Sequence, residues 1–580
     1  MKVCLLQILP EAFQGNFASY FYQEDLSAHP SFVDIRAIVQ ENTESWLDDL
    51  AVSHGDLSTA FLKYGPWWWL SSYSRLDARP WGQESTIKPL FFARAILEWA
   101  KKNSQAELFL IGAPLEVALY LQDFDPTAKV EGANIFRKLF FGTITHITQK
   151  TIFKLKLLKE WVGLWRICFR GDKKQLGSKR LVVYERFAPG QTSDQARDYF
   201  FDKLFEASAI GYACIDPLSF GSPARKKDDQ TFFVLDQVTW QDAFFVFWRN
   251  ICFDGLMIVV GINPPACVIA GKTSDKFWRY YLWGNYSKGV ILKELCVYRI
   301  FKRLAAEKSF ESIVYPYEEK GYERALLLAV QGHGIKTIGY APHPQHHLAV
   351  SMKDSLKPAP LRPSLYGVCG KEYIDYFEQW AAKPVGAVRI WGSAKSWTRG
   401  FGQKVLPKDL KIFLLLSHPY ELEVFGSWLK AESKLCEGVT YLVRVYKSVL
   451  GRVFTKRFEA IMSEFPFVRE AKGDFTSGLA QCDLAMFNGT SAGLLAVNSG
   501  KIAVHAALDD FFEINPCFNH LDSMLNCTTA AALAQRFQEL RAMSHEQLNA
   551  VWQNQKNFVA GVFAPIDRPT IEKDLLCRTV

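Results

Sequence analysis

The sequence predicts an α/β protein made of successive parallel-sheet blocks, and three stretches predict it. Residues 312–340 read as a short apolar run, a segment with helical periodicity opening at Gly321, and a second apolar run. Residues 482–508, CDLAMFNGTSAGLLAVNSGKIAVHAAL, give the order strand, small-residue loop, helix, Gly turn, strand. Residues 180–218 repeat it, with strands at 180–186 and 212–218 around a helix expected over 193–209. Strands that alternate with helices are joined by crossovers, and crossovers pair strands in parallel.

The elements follow in order. An N-terminal α/β region, 1–135, holds strand candidates at 3–9, 33–39 and 107–112, with a helix over 90–101. A basic amphipathic connecting segment fills 136–180. A second block, 181–385, adds strands at 312–316, 336–340 and 365–369 and helices at 321–332 and 371–382. The third block, 386–580, has strands at 412–417 and 441–445, a helix at 421–433, the 482–508 unit, and helices at 530–543 and 545–557. Pro358-Ala359-Pro360 and the Gly/Ser-rich 392–402 read as connections.

Composition narrows the class. A chain of 580 residues, 49% hydrophobic and 14% aromatic, is long enough for two or three cored domains. A mean hydropathy of -0.04 argues against a polytopic membrane protein. The apolar run 255–271 is broken by Asn263-Pro264-Pro265 and is too short to span a bilayer. The opening run 1–10 lacks the flanks of a secretory signal, so a cytoplasmic location is expected. The 12 cysteines show no CxxC or Cys/His ligand spacing, which favours buried thiols over structural zinc.

Net charge is +8, and the excess concentrates between Arg137 and Arg180. There Lys150, Lys154, Lys156, Lys159, Arg166 and Arg170 interleave with Phe153, Leu157, Trp161 and Trp165. Helical spacing with one cationic side is the composition of an interfacial helix on anionic lipid, and Lys154, Lys156, Lys159, Trp161 and Trp165 are its candidate membrane contacts. A basic helix packed on the protein's own core fits the same composition. No nucleic-acid-binding motif accompanies the aromatics, so nucleic acid is not expected as a partner.

In the 482–508 unit, Asn488-Gly489-Thr490-Ser491-Ala492-Gly493 would set backbone N–H groups and two hydroxyls before a helix, an arrangement suited to phosphate. An ordinary capped turn with no ligand has the same sequence signature. No GxGxxG opens a strand after Met1 or Arg180, which weakens a nucleotide-sugar epimerase reading. The spacing before Lys272-Thr273 fails the P-loop pattern.

Two successive parallel α/β blocks, the second with a phosphate loop, resemble a GT-B glycosyltransferase, in which two Rossmann-like domains face a cleft. Segments 315–325 (YPYEEKGYERA) and 338–343 (IGYAPH) are similar to a family of bacterial surface-carbohydrate biosynthesis proteins found with O-antigen or capsule genes. YGPWWWLSS at 64–72, LWGNYSKG at 282–289 and YGVCG at 366–370 agree in order. The resemblance implies a metal-independent transferase without cofactor, peripheral on the inner face of the inner membrane. It would move a sugar from a nucleotide-sugar donor to a lipid-linked or growing surface glycan. A CMP-linked nonulosonic or Kdo-like donor is the first expectation, and a UDP- or GDP-hexose the alternative. A noncatalytic scaffold of the same fold is the competing class. Block 181–385 would then be the acceptor side and 386–580 the nucleotide-sugar side.

The resemblance orders the site residues. Glu318, at the end of a strand, is the first candidate for the base that takes the acceptor's proton, with Glu323 second and His343 a further cleft group. Acids at a helix N-terminus also occur for the dipole alone. For the donor phosphate the candidates are Ser417, His418, Arg444, Lys447, Gly489, Thr490, Ser491 and Gly493. His418-Pro419 follows the third block's first strand, whereas the His-Pro pair of CMP-sugar enzymes follows the middle strand, where this chain reads LVRVYK at 442–447. His343, His346 and His347 lack an acidic or Cys partner at ligand spacing, so no metal is expected.

Overall fold

The structure is a computed structural model. It describes residues 2–6, 19–22, 30–62, 84–102, 107–111, 120, 129–131, 161–165, 180–185, 204–205, 211–215, 231–262, 268–269, 272–273, 278, 282, 291–343, 350–396, 400–402, 405–416, 419–444, 452–508, 515–517 and 520–576.

The expected α/β class is present, with three all-parallel sheets among the described residues. The first orders its strands β2-β1-β3-β4, from β1 (Lys2–Leu6), β2 (Ser19–Tyr22), β3 (Glu107–Ile111) and β4 (Lys129–Glu131). Helices α1 (Pro30–Leu62) and α2 (Glu84–Lys102), which lie between β2 and β3 in the chain, pack on each other. The strand expected at 33–39 is instead the start of α1. The alternation in VDIRAIV is local, whereas Ile38, Val39, Trp46, Leu47, Leu50 and Leu57 bury one helical face over several turns.

The second sheet has seven strands in the order β13-β12-β11-β10-β5-β6-β7. These are β5 (Arg180–Glu185), β6 (Gly211–Ile215), β7 (Thr231–Phe233), β10 (Ser312–Pro316), β11 (Lys336–Ala341), β12 (Leu365–Val368) and β13 (Val388–Ile390). A two-stranded pair, β8 (Val268–Ile269) and β9 (Lys272–Thr273), stands apart. Strands β10, β11 and β12 are buried at every position, as the central strands of a sheet covered on both faces must be. Helices α3 (Trp240–Ile262), α4 (Leu292–Ala306) and α5 (Gly321–Val330) pack in sequence against one another. The helix expected over 371–382 is a single turn, α6 (Glu372–Asp375), continued by a π turn over Tyr376–Trp380.

The third sheet orders β16-β15-β14-β17-β18, from β14 (Leu410–Leu415), β15 (Val439–Arg444), β16 (Val468–Glu470), β17 (Leu484–Phe487) and β18 (Ile502–His505). Its helices are α7 (Pro419–Ala431), α8 (Arg452–Glu464), α9 (Phe475–Ala480), α10 (Ala492–Asn498), α11 (Ala530–Ala542), α12 (His545–Val562) and α13 (Arg568–Leu576). The second and third sheets are separate, as the sequence predicts.

The domain boundaries differ from expectation in two ways. Strand β13 lies beyond residue 385 yet completes the second sheet, pairing Tyr366 with Val388. Residues 564–574 also return to that sheet. Ala564 N–H donates to Cys369 O at 2.8 Å, Asp567 N–H to Trp391 O at 3.0 Å, and the Trp391 indole to Asp574 Oδ2 at 2.9 Å. The contact is close enough to require glycine: a Cβ on Gly370 would lie 2.1 Å from Gly561 O, and one on Gly392 (φ +79°) 2.1 Å from Pro565 O.

Candidate functional site

The register of the second sheet sets the site. Pro316 pairs with Tyr340, and Ala341 with Val368, so the segments leaving β10 and β11 emerge side by side at the carboxyl edge. Ligands bind at that edge in open parallel sheets. Glu318 and His343, each two residues past its strand, meet there: His343 Nε2 lies 3.6 Å from Glu318 Oε1, and Lys320 Nζ 2.6 Å from Glu318 Oε2. Both predicted residues therefore fall in one place. Lys320 belongs to the same motif but was not singled out, because nothing in a one-dimensional pattern shows it turning back to Glu318.

Glu323, the second carboxylate candidate, is bonded to the turn itself. It is 1% exposed, and its Oε2 accepts N–H bonds from Glu318 at 3.0 Å and Glu319 at 2.8 Å. This is the acidic residue of a helix N-terminus satisfying the turn that presents Glu318. Burial, reinforced by the charge of Glu318, raises its carboxyl to about 8, so it holds a proton at neutral pH. It braces the turn that carries Glu318.

Beneath the turn lies a buried charge network that the sequence reading missed. Glu319, in the left-handed region at φ 62°, takes Arg324 at 3.1 Å and Lys357 at 2.5 Å. Lys383 Nζ donates to Asp354 Oδ1 at 2.5 Å, Tyr317 OH at 2.6 Å and Met352 O at 2.5 Å, and the Tyr366 hydroxyl donates to Asp354 Oδ2 at 2.6 Å. Burial alone would raise the Glu319 carboxyl, but Lys357, Arg324 and Lys383 outweigh it and hold it at about 2. The fully satisfied network fixes the strained turn from below.

In the third sheet, Arg444, Leu415, Phe487 and His505 stand in register across four adjacent strands at the carboxyl edge. Arg444 and the Gly489-Thr490-Ser491 loop after β17 thus share one edge. Asn488 Nδ2 donates to Glu421 Oε1 at 3.3 Å, both side chains being fully buried. His505 is neutral, lowered to about 4 by burial, with Nδ1 2.8 Å from Asn526 Oδ1. The Thr490 hydroxyl accepts from Ala492 N–H at 3.2 Å, and α10 is only seven residues long. Gly493 has a packing reason: a Cβ there would sit 2.1 Å from the Phe487 ring. Ser417, His418 and Lys447 lie outside the described residues, as do Lys154, Lys156 and Lys159.

Lys395 links the segment after β13 to the C-terminal end of α10. It is 7% exposed, its carbonyl accepts from Asn498 Nδ2 at the end of α10 at 2.8 Å, and its ammonium is lowered by burial against the charges of Cys369 and Glu318. Trp161 and Trp165 pack on protein: their rings meet at 5.5 Å, and Trp161 lies 4.5 Å from Phe247 of α3. Among the described residues no cluster of three His, Cys, Asp or Glu could hold a metal ion, and no helix is long and apolar enough to cross a membrane.

No family model and no curated protein matches the sequence. Solved structures do. A UDP-forming α,α-trehalose-phosphate synthase from Burkholderia vietnamiensis is similar at 12% identity and a TM-score of 0.41, over 69% of this chain and 96% of that one. The E. coli trehalose-6-phosphate structure bound with UDP-2-fluoro glucose has 11% identity and a TM-score of 0.39, over 68% and 98%. Anabaena HepE in complex with UDP and glucose has 10% identity and a TM-score of 0.38, over 68% and 98%.

Proposed function

We propose that this chain is a glycosyltransferase of the GT-B kind, transferring a sugar from a nucleotide donor to a lipid-linked or growing bacterial surface glycan at the inner face of the inner membrane. The observation that carries the reading is the Glu318 carboxylate between His343 and Lys320 at the carboxyl edge of the second sheet. A carboxylate so placed takes the proton of an acceptor hydroxyl as the new bond to the anomeric carbon forms. The bond to the donor phosphate breaks in the same step. Arg444 and the Thr490-Ser491 loop, on the carboxyl edge of the third sheet, would supply charge and hydroxyls for the departing nucleotide. A CMP-linked nonulosonic or Kdo-like sugar remains the first choice of donor, and UDP- or GDP-hexose the second. The reaction so written uses no metal.

A thermal-shift panel of CMP, UDP, GDP and their sugars tests the reading, since a ligand at a hundredfold excess over its Kd stabilises by about 2.7 kcal/mol. Glu318→Gln should keep nucleotide affinity and lose transfer by about a hundredfold to ten-thousandfold. Ser491→Ala should weaken nucleotide binding about tenfold to a hundredfold, the loss of one hydrogen bond to a charged group. A protein that binds no nucleotide in the panel would sink the proposal and leave the noncatalytic scaffold, and a fully active Glu318→Gln would sink the assignment of Glu318 as the base.

A further inference from the structure

Helix α3 exposes a row of large apolar side chains that nothing in the second sheet uses. Trp240 is 58% exposed, Phe244 58%, Trp248 57% and Ile251 45%. Their spacing of four, four and three residues places them on one stripe of the helix. Its opposite side buries Ala243, Val246, Phe253 and Met257. Three half-exposed aromatic side chains alone offer on the order of 300 Å² of apolar surface, a patch of the size that marks an interaction site. Val162, 40% exposed, adds to it from the turn that Trp161 pins against Phe247.

Basic residues outnumber acids beside the row, where α3 also carries the half-buried Asp254 one turn past Ile251. Arg249 is exposed on α3, and Arg299 and Lys302 stand on the neighbouring helix α4. Arg249 and Arg299 lie over the Phe245 ring at 5.6 and 5.1 Å. The acid nearest them, Asp242, is 2% exposed and turned inward to Arg299 at 3.0 Å and Arg303 at 3.5 Å. Sequence continuity adds to this: the run Lys150, Lys154, Lys156, Lys159 leads directly into the Trp161 turn.

We infer that the α3 stripe is a docking face for an anionic phospholipid surface, with Trp240, Phe244, Trp248 and Ile251 entering the headgroup boundary and Arg249 and Lys302 meeting lipid phosphates. A row of Trp, Phe and Ile on a single helix, flanked by exposed Arg and Lys, is the chemistry of interfacial helices on anionic lipid. The inference rests on the membrane side of the proposed function and is independent of the transfer chemistry. It moves the contact from Trp161 and Trp165, which are packed on protein, to the helix they pack against.

The test is sedimentation of the full chain with phosphatidylcholine vesicles and with mixed phosphatidylcholine/phosphatidylglycerol vesicles. The wild type should sediment with the mixed vesicles and release as salt rises. Phe244→Glu/Trp248→Glu should lower partitioning at least tenfold, and Arg249→Glu/Lys302→Glu should do so on mixed vesicles while leaving any binding to neutral vesicles unchanged. An unchanged urea midpoint shows that the exposed substitutions left the fold intact. Wild-type protein that ignores mixed vesicles, variants that bind as well as wild type, or a concentration-dependent dimer lost in the aromatic variant would each overturn the inference, the last in favour of a second copy on the stripe. Glu318→Gln should bind vesicles normally and the stripe variants should keep their nucleotide response, so failure here is separable from failure of the transferase reading.

Discussion

Replacing Lys357 by Met tests whether the buried network holds the Glu318 turn. Lys357 is 2% exposed at its side chain and touches Glu319 at 2.5 Å, Tyr317 OH at 2.7 Å and Asp354 at 3.3 Å. Met keeps the stem's volume and removes the charge, so Glu319 is left with Arg324 as its directly paired cation, beside the Tyr317 hydroxyl. Removing one member of a buried ion pair costs about 3 to 5 kcal/mol, because the other charge stays desolvated. Glu319→Gln with Lys357→Met should cost less than the two single losses added, by a coupling of about 0.5 to 3 kcal/mol. The pH dependence gives a second reading. The Glu319 carboxyl is held at about 2 against an ordinary 4.5, so it contributes stability above pH 4.5 that is lost as pH falls through 2. Lys357→Met weakens that depression, so its deficit at pH 7 should shrink below pH 4.5. Urea titrations at pH 7 and at several points down to pH 3 measure both. A Lys357→Met variant within 1 kcal/mol of wild type at pH 7, strict additivity, or a deficit independent of pH would refute the reasoning.

Two further predictions concern single positions. Glu323 is held at about 8, so its neutral form favours folding below pH 4.5 and that advantage is lost as pH rises through 8. Glu323→Gln should match wild type near pH 5 and exceed it near pH 8 in urea titration, and parallel pH curves would show that the buried carboxyl is ionised. Gly493→Ala must push a methyl into the Phe487 ring, and overpacking of this kind costs about 1 to 3 kcal/mol. The loss should be partly relieved by Phe487→Leu, and a Gly493→Ala variant as stable as wild type would show that the ring has room to move.

The fold was legible where strands are buried on both faces. Residues 312–316 and 336–341 are short, mainly apolar runs bounded by Gly and charge, and the pairing of Glu318 with His343 follows from their equal distance past two neighbouring strands. The supporting network was not legible. Tyr317, Glu319, Asp354, Lys357, Tyr366 and Lys383 are brought together across as many as 66 residues of chain, and local periodicity carries no information about such contacts. The 33–39 segment failed because β-branched residues lend a helix a strand-like alternation over a few positions. The α3 row was overlooked because a sequence shows which residues are apolar and not which of them the fold leaves uncovered.

The return of residues 564–574 to the second sheet has a consequence for synthesis. Lys336 donates to the Asp574 carbonyl, and Trp391 to its carboxylate, so partners of β11 and of the residue after β13 are encoded more than 180 residues downstream. On the ribosome, strands β10 to β13 emerge long before the segment that covers them. The seven-stranded sheet therefore waits, with the tryptophan and lysine uncovered, while the whole five-stranded unit is made and folds. A pause in translation within 410–560 exposes the sheet that carries Glu318, not the one being translated.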